Sequence, residues 1–161
     1  MNPLLKIKPL APDLNPIAYA KEGDAGIDLR ASGHWIIQLD SEKKEIQKDQ
    51  YELQAGERIL IKTGIKAALP HGHYGHIQDR SSLAYKHGLH VLAGIIDENY
   101  REEICVVLLN LGKNPYTLTK NERIAQMIIK EYKRADISYI TYIEKLDETN
   151  RNAGFGSSGK Y

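Results

Sequence analysis

The sequence predicts an all-β domain, a sandwich or barrel of many short strands with one short helix. Three observations carry this. First, the apolar runs are short and rich in β-branched residues and tyrosine: HWIIQL (34–39), RILIKTGIKAAL (58–69), EICVVLLNL (103–111), RIAQMIIKEY (123–132) and ISYITYI (137–143). Such side chains pack well on a pleated, half-buried surface. Second, period-two alternation is present: Ile137, Tyr139, Thr141 and Ile143 alternate with Ser138, Ile140 and Tyr142. Third, glycine and charge break the runs at turn-like intervals, the pattern of a sandwich or barrel.

The elements follow in chain order. Residues 10–23 read as a Pro-containing loop. In DAGIDLRA (24–31), Asp24 and Asp28 are four apart, so on one strand they share a face and invite a divalent cation; a turn Asp beside a surface Asp is the plainer reading. SEKKEIQKDQ (41–50) is a charged excursion, read as a solvated hairpin or loop tip. HGHYGH (71–76) offers His71, His73 and His76 as metal ligands, but no Cys lies near, and Pro70, Gly72 and Gly75 mark a turn instead.

SSLAYKHG (81–88) predicts a helix of about two turns, with a serine start and Gly88 as C-terminal cap. In DRSSLA (79–84), Arg80, Ser81 and Ser82 combine guanidinium, hydroxyls and N–H groups, a good set for an anion or simply a capped helix with a surface Arg. GIIDENYREEI (94–104) reads as a β-hairpin with Asp97 and Tyr100 near its tip. RIAQMIIKEYKR has some helical character, but its β-branched run and the turn-like Lys120-Asn121 before it favour a strand, with Gln126 a polar intrusion among Ile124, Met127 and Ile128.

The tail RNAGFGSSGKY (151–161) holds the only phenylalanine, Phe155. It nearly spells a P-loop, but Tyr161 follows Lys160 where that motif needs Ser or Thr to hold Mg²⁺. Glycines and serines still suit phosphate. A disordered tail is the alternative, and it leaves Phe155 unexplained.

The length of 161 residues suggests one domain, and a net charge of +1 marks neither a nucleic-acid nor a membrane binder. One cysteine, Cys105, excludes an internal disulfide framework and fits a reducing compartment. The first residues carry Lys and Pro where a signal peptide needs an apolar run, and no stretch approaches the ~18 apolar residues of a membrane span. The expectation is a soluble protein of the cell interior: cytoplasmic, or nuclear or host-intracellular if viral.

In order, these five polar segments resemble the five motifs of the trimeric dUTP diphosphatase (dUTPase) family, from about residue 22 to 159. The resemblance implies a jelly-roll-like β-barrel over 1–143 and a flexible C-terminal arm over 144–161, assembled as a homotrimer with exchanged arms. It also implies Mg²⁺-assisted cleavage of dUTP to dUMP and pyrophosphate, which keeps uracil out of DNA and supplies dUMP for dTMP synthesis. On that pattern Asp28 and Gln126 would act through Mg²⁺-bound water. Arg80, Ser81 and Ser82 would bind phosphates, with Ser81 near the α–β bridge. Gly94, Ile95, Ile96 and Asp97, with Cys105 across the hairpin, would hold the deoxyuridine. Asp97 would take the proton of the attacking water, and Tyr100 would pack under the deoxyribose. From a neighbouring subunit, Phe155 would stack on the uracil, while Arg151, Gly156, Ser157 and Ser158 would line the phosphates.

The chain departs from the family pattern at Asp79, where Pro is common, at Ser82 and Glu102, where Gly is frequent, and at Val91, where many members carry Asn. Its tail is one residue shorter between Arg and Phe, so the usual Arg position falls on Asn150. A dCTP deaminase shares the fold and an RSS motif, but it needs a Glu in the strand that here reads Val106-Val107-Leu108-Leu109. A nucleotide-gated signalling role, with 41–50 as partner surface, would add to catalysis; the sequence names no partner.

Overall fold

The computed structural model describes residues 3–10, 12–39 and 42–140. Twelve strands and one helix occur among them. The strands are β1 (Lys6–Pro9), β2 (Ile27–Arg30), β3 (His34–Leu39), β4 (Glu42–Gln47), β5 (Gln50–Leu53), β6 (Arg58–Ala68), β7 (His73–Gln78), β8 (Leu89–Leu92), β9 (Ile95–Ile96), β10 (Glu103–Asn110), β11 (Tyr116–Thr119) and β12 (Arg123–Glu131). The helix is α1 (Ser81–His87). One sheet runs β4-β3-β6-β10-β8, with β1 added against β6; the second runs β2-β12-β7-β9; β11 and β5 form a ribbon.

Alternation decides what faces inward. In β10, Ile104, Val106, Leu108 and Asn110 are buried, while the intervening residues are partly exposed. Ile104, Val106 and Leu108 meet Ile59 and Ile61 of β6, Trp35 of β3, and Leu29, Ile77 and Met127 of the second sheet in one core. Full burial of each large aliphatic side chain contributes about 1.5–3 kcal/mol. This shared core therefore closes the two sheets and the ribbon on one another, giving the all-β, jelly-roll-like architecture. Of the buried polar side chains, Ser32 Oγ has no hydrogen-bond partner among the described residues, while Asn110 is satisfied. Asn110 donates to the carbonyls of Leu53 (3.0 Å) and Asn114 (2.9 Å) and accepts from Gly112 N–H (2.8 Å). Trp35 donates Nε1–H to the Lys48 carbonyl at 3.0 Å.

The runs at 34–39, 58–69, 103–111 and 123–132 form strands as expected, and the charged excursion forms β4, paired antiparallel with β3. Gly88 caps α1 in the left-handed region at φ 71°, donating its N–H to the Ala84 carbonyl. Four expectations need correction. No serine caps α1: Ser81 and Ser82 are its first two residues, and Arg80 holds the N-cap position without a side-chain bond. The turn in the histidine segment ends at Gly72, and 73–76 lie in β7. Residues 137–140 form no strand, and Ile137 and Tyr139 are 81 % and 94 % exposed. Alternation shapes a strand, but pairing needs a partner edge, and this segment has none among the described residues. Residues 141–143 of that run lie outside them. Finally, 94–104 is not a simple hairpin. β9 pairs with β7, while β10 pairs with β8, so 93–102 is an excursion between two paired arms.

Candidate active site

Two groups of polar side chains stand out. The first sits where β2, β12 and the β7–α1 junction meet. Antiparallel register sets Gln126 opposite Asp28. Asp28 accepts Arg80 Nε on one carboxylate oxygen at 3.2 Å and Arg123 Nη1 on the other at 3.1 Å. Arg80 also donates Nη1 to the Arg123 carbonyl at 3.1 Å. Gln126 donates Nε2 to the Asp79 carbonyl at 2.8 Å, which leaves its amide oxygen free to accept. The Asp79 carboxylate accepts the Val91 N–H at 2.6 Å and meets His90 Nδ1 at 2.8 Å. Asp79 thereby stitches the Arg80 junction to β8.

Two guanidinium groups around one carboxylate leave a net positive charge, beside the exposed Ser81 and Ser82. A helix of seven residues adds little field of its own, so Arg80 and the hydroxyls are what this surface offers an anion. Asp24 does not join Asp28: it lies in a loop and accepts the Lys21 N–H at 2.9 Å, the turn role. No group of three or more His, Cys, Asp and Glu that could hold a metal occurs among the described residues. The three histidines are spent locally: His71 meets Glu98, His73 the His71 carbonyl, and His76 both Gln78 and Lys130.

The second group lies in the 93–102 excursion. Gly94 takes φ 148°, and its carbonyl accepts the Ile77 N–H at 2.8 Å. That bond delivers the chain into β9, where Ile96 sits opposite Gly75. A turn follows, closed by Tyr100 N–H to the Asp97 carbonyl at 3.0 Å. Tyr100 then donates its hydroxyl to the Glu103 carbonyl at 3.0 Å. β8 ends at Leu92, opposite Val107, and Cys105 lies two residues before Val107 in β10. Burial pushes the Cys105 thiol up to about 11, so it is a neutral wall at pH 7 and no nucleophile. Asp97 is exposed and lines an open groove of about 670 Å³ with His71, Tyr74, Ile95, Glu98 and Tyr132.

A Cβ added at Gly94 would lie 2.6 Å from the Ile77 carbonyl oxygen, which is backbone and cannot swing away. Gly94→Ala is therefore expected to destabilise the fold by about 1–3 kcal/mol. That corresponds to a fall in Tm of roughly 3–10 °C in a thermal melt; an unchanged Tm would contradict the close approach.

The structure gathers Asp28, Arg80, Ser81, Ser82 and Gln126 on one side, and Gly94, Ile95, Ile96, Asp97, Tyr100 and Cys105 on the other. No hydrogen bond or ion pair among the described residues joins the two sets of side chains. Arg151, Phe155, Gly156, Ser157 and Ser158 lie outside the described residues. Sequence reading missed Arg123 and Glu98, and saw Asp79 only as a departure. Arg123 and Asp28 are 95 residues apart, so only the β2–β12 register pairs them. Asp79 had one local signal, a carboxylate directly before Arg-Ser-Ser.

Comparison with known proteins shows the family. A family model, dUTPase, matches residues 46–159. The deoxyuridine 5'-triphosphate nucleotidohydrolase of Paramecium bursaria Chlorella virus 1 is 42 % identical over 155 residues, 96 % of this chain and 97 % of the viral protein. That of Fusobacterium nucleatum is 37 % identical over 145 residues, 88 % of each chain. Among solved structures, a mutant Staphylococcus bacteriophage 80alpha dUTPase with dUpNHpp shares the fold at TM-score 0.76 and 21 % identity, over 97 % of this chain and 98 % of that one. The chain belongs to the dUTPase family.

Proposed function

We propose that this dUTPase cleaves dUTP to dUMP and pyrophosphate by attack of an Asp97-activated water on the α-phosphate, within a homotrimer whose sites are shared between subunits. The family match gives the reaction. What supports the shared site is that no hydrogen bond or ion pair among the described residues joins the side chains of the Asp97 loop to Arg80, Ser81 or Ser82.

Hydrolysis of a phosphoanhydride needs an in-line water, a base and a neutralised triphosphate. Asp97 is exposed at the end of β9 and free to take a water's proton. Gly94 to Ile96 present backbone groups for the uracil edge. A tight backbone wall rejects a 5-methyl group, and fixed donors and acceptors reject cytosine because a mismatch leaves buried groups unsatisfied. Tyr100, held through its hydroxyl, offers a ring face to the deoxyribose. Arg80, Ser81 and Ser82 of another subunit receive the phosphates, and the arm (144–161) closes with Phe155 over the base and Arg151, Gly156, Ser157 and Ser158 at the phosphates. Residues 1–143 form the β domain in this reading, and the enzyme acts in the cell interior; no described helix is long and apolar enough to cross a membrane.

The donors present suit Mg²⁺ held mainly by phosphates and water. Asp28 is already neutralised by two arginines and Gln126 has one free amide oxygen, so both fit as acceptors for metal-bound water rather than as a cage. When bound, Mg²⁺ would neutralise phosphate charge. A nucleotide-bound structure is expected to leave both side chains beyond about 2.1 Å from the metal; either one in direct ligation would contradict this.

Pyrophosphate release from a panel of dNTPs with Mg²⁺ tests the function: dUTP alone should turn over efficiently. Ammonia release from dCTP would overturn it. The exposed β4 also offers a surface for a nucleotide-gated protein partner; a pull-down with and without a dUTP analogue tests that addition.

A further inference from the structure

Glu98, next to Asp97, makes contacts that the reaction above does not use. One carboxylate oxygen accepts both the Gly72 N–H and the Tyr132 hydroxyl, each at 2.8 Å. The other meets His71 Nδ1 at 2.8 Å. Gly72 closes the turn before β7, and Tyr132 directly follows β12. These two partners also bond each other, Tyr132 N–H to the Gly72 carbonyl at 3.1 Å. Glu98, Gly72 and Tyr132 thus form a closed triangle drawn from three separate parts of the chain. The backbone of the same loop is held as well: Arg101 Nη1 donates to the Glu98 carbonyl at 2.7 Å, and Tyr100 N–H to that of Asp97.

We propose that Glu98 is a positioning residue that locks the loop carrying Asp97 to the β6–β7 turn and to the root of the C-terminal segment at Tyr132. This role rests on Asp97 being the general base. His71 is 97 % exposed, so solvent screens its ion pair and it adds little stability, although it is the largest influence on the Glu98 carboxyl. The anchors are the two hydrogen bonds to a charged acceptor, which are the stronger kind. His71, the Tyr132 hydroxyl and the Gly72 N–H together hold the Glu98 carboxyl down to about 2, so it stays a full acceptor throughout the neutral range. Successive Cα atoms are about 3.8 Å apart, so a tilt at Glu98 passes directly to Asp97. A reacting group misplaced by about 1 Å can lose ~10²-fold in rate.

The test compares Glu98→Ala and Glu98→Gln in the parent enzyme and in the Asp97→Asn background, reading kcat and KM for dUTP. Glu98→Ala should lower kcat about 10-fold with KM within about threefold. Glu98→Gln should stay within about threefold of the parent, because an amide oxygen can accept from Gly72 and Tyr132 while its N–H₂ donates to neutral His71. In the Asp97→Asn background, Glu98→Ala should cost less than about a further twofold, since its effect passes through Asp97. An unchanged kcat in Glu98→Ala, or the same fold-loss in both backgrounds, overturns the role; equal losses mark a general structural residue. If Glu98→Ala does not fold, Tyr132→Phe removes one donor while keeping the ring, and an unchanged kcat there overturns the lock. Asp97→Asn retaining full kcat is a separate failure, which removes the base and with it anything to position.

Discussion

Asp97→Asn is expected to cut kcat by roughly 10²–10⁴-fold, the usual share of a general base, while dUTP binding stays near that of the parent. The substitution is almost isosteric and removes only basicity. Asp97 is exposed, and its backbone carbonyl, not its carboxylate, closes the turn to Tyr100, so the loop has no reason to move. In the proposed site, binding comes from the Gly94–Ile96 backbone and from Arg80, Ser81 and Ser82, none of which the substitution touches. Single-turnover kinetics beside equilibrium binding of a non-hydrolysable analogue separates the two effects. An unchanged kcat removes Asp97 from the mechanism.

Deleting residues 150–161 is expected to abolish most turnover while leaving the fold intact. Among the described residues, every core side chain lies between Leu5 and Ile129, so the deletion removes none of them. A lid both stacks on the base and screens the phosphates from bulk water, so its loss strikes catalysis. Phe155→Ala is the gentler version. Base–aromatic stacking is worth roughly 1–3 kcal/mol, so kcat/KM should fall between about 5-fold and 150-fold. Phe155→Trp keeps a stacking face and should retain most activity. A tail-deleted enzyme with normal kcat/KM would show that the segment is no lid.

Much of the fold was legible because short β-branched runs bounded by turn residues are a local signal. HWIIQL marked β3 to its ends, and EICVVLLNL covered β10. The misreadings share a cause. ISYITYI carries a strand's surface, but a sequence does not say which edge will receive it. The 94–104 excursion looked like a hairpin because its two arms are adjacent in sequence. Gly94 at φ 148° instead steers Ile95 and Ile96 onto β7. Four of the five polar segments of the candidate site lie among the described residues, and their residue types marked them in the sequence. Their wiring was not legible, since Asp28 meets Arg80 across 52 residues and Arg123 across 95. Glu98 was hidden differently: it sits inside a segment already picked out, where only its contacts with Gly72 and Tyr132 distinguish it from a solvated carboxylate.

The division of the chain into two groups makes a homotrimer with shared sites the central claim. Subunit mixing tests it most directly. Chains lacking 150–161 keep Asp97 but have no lid; Asp97→Asn chains keep the lid but have no base. Mixed trimers of the two, formed by co-refolding and confirmed by mass, are expected to regain dUTP hydrolysis, because an intact arm from one chain can close over an intact Asp97 on another. Mixed trimers as inactive as either parent would contradict the shared site.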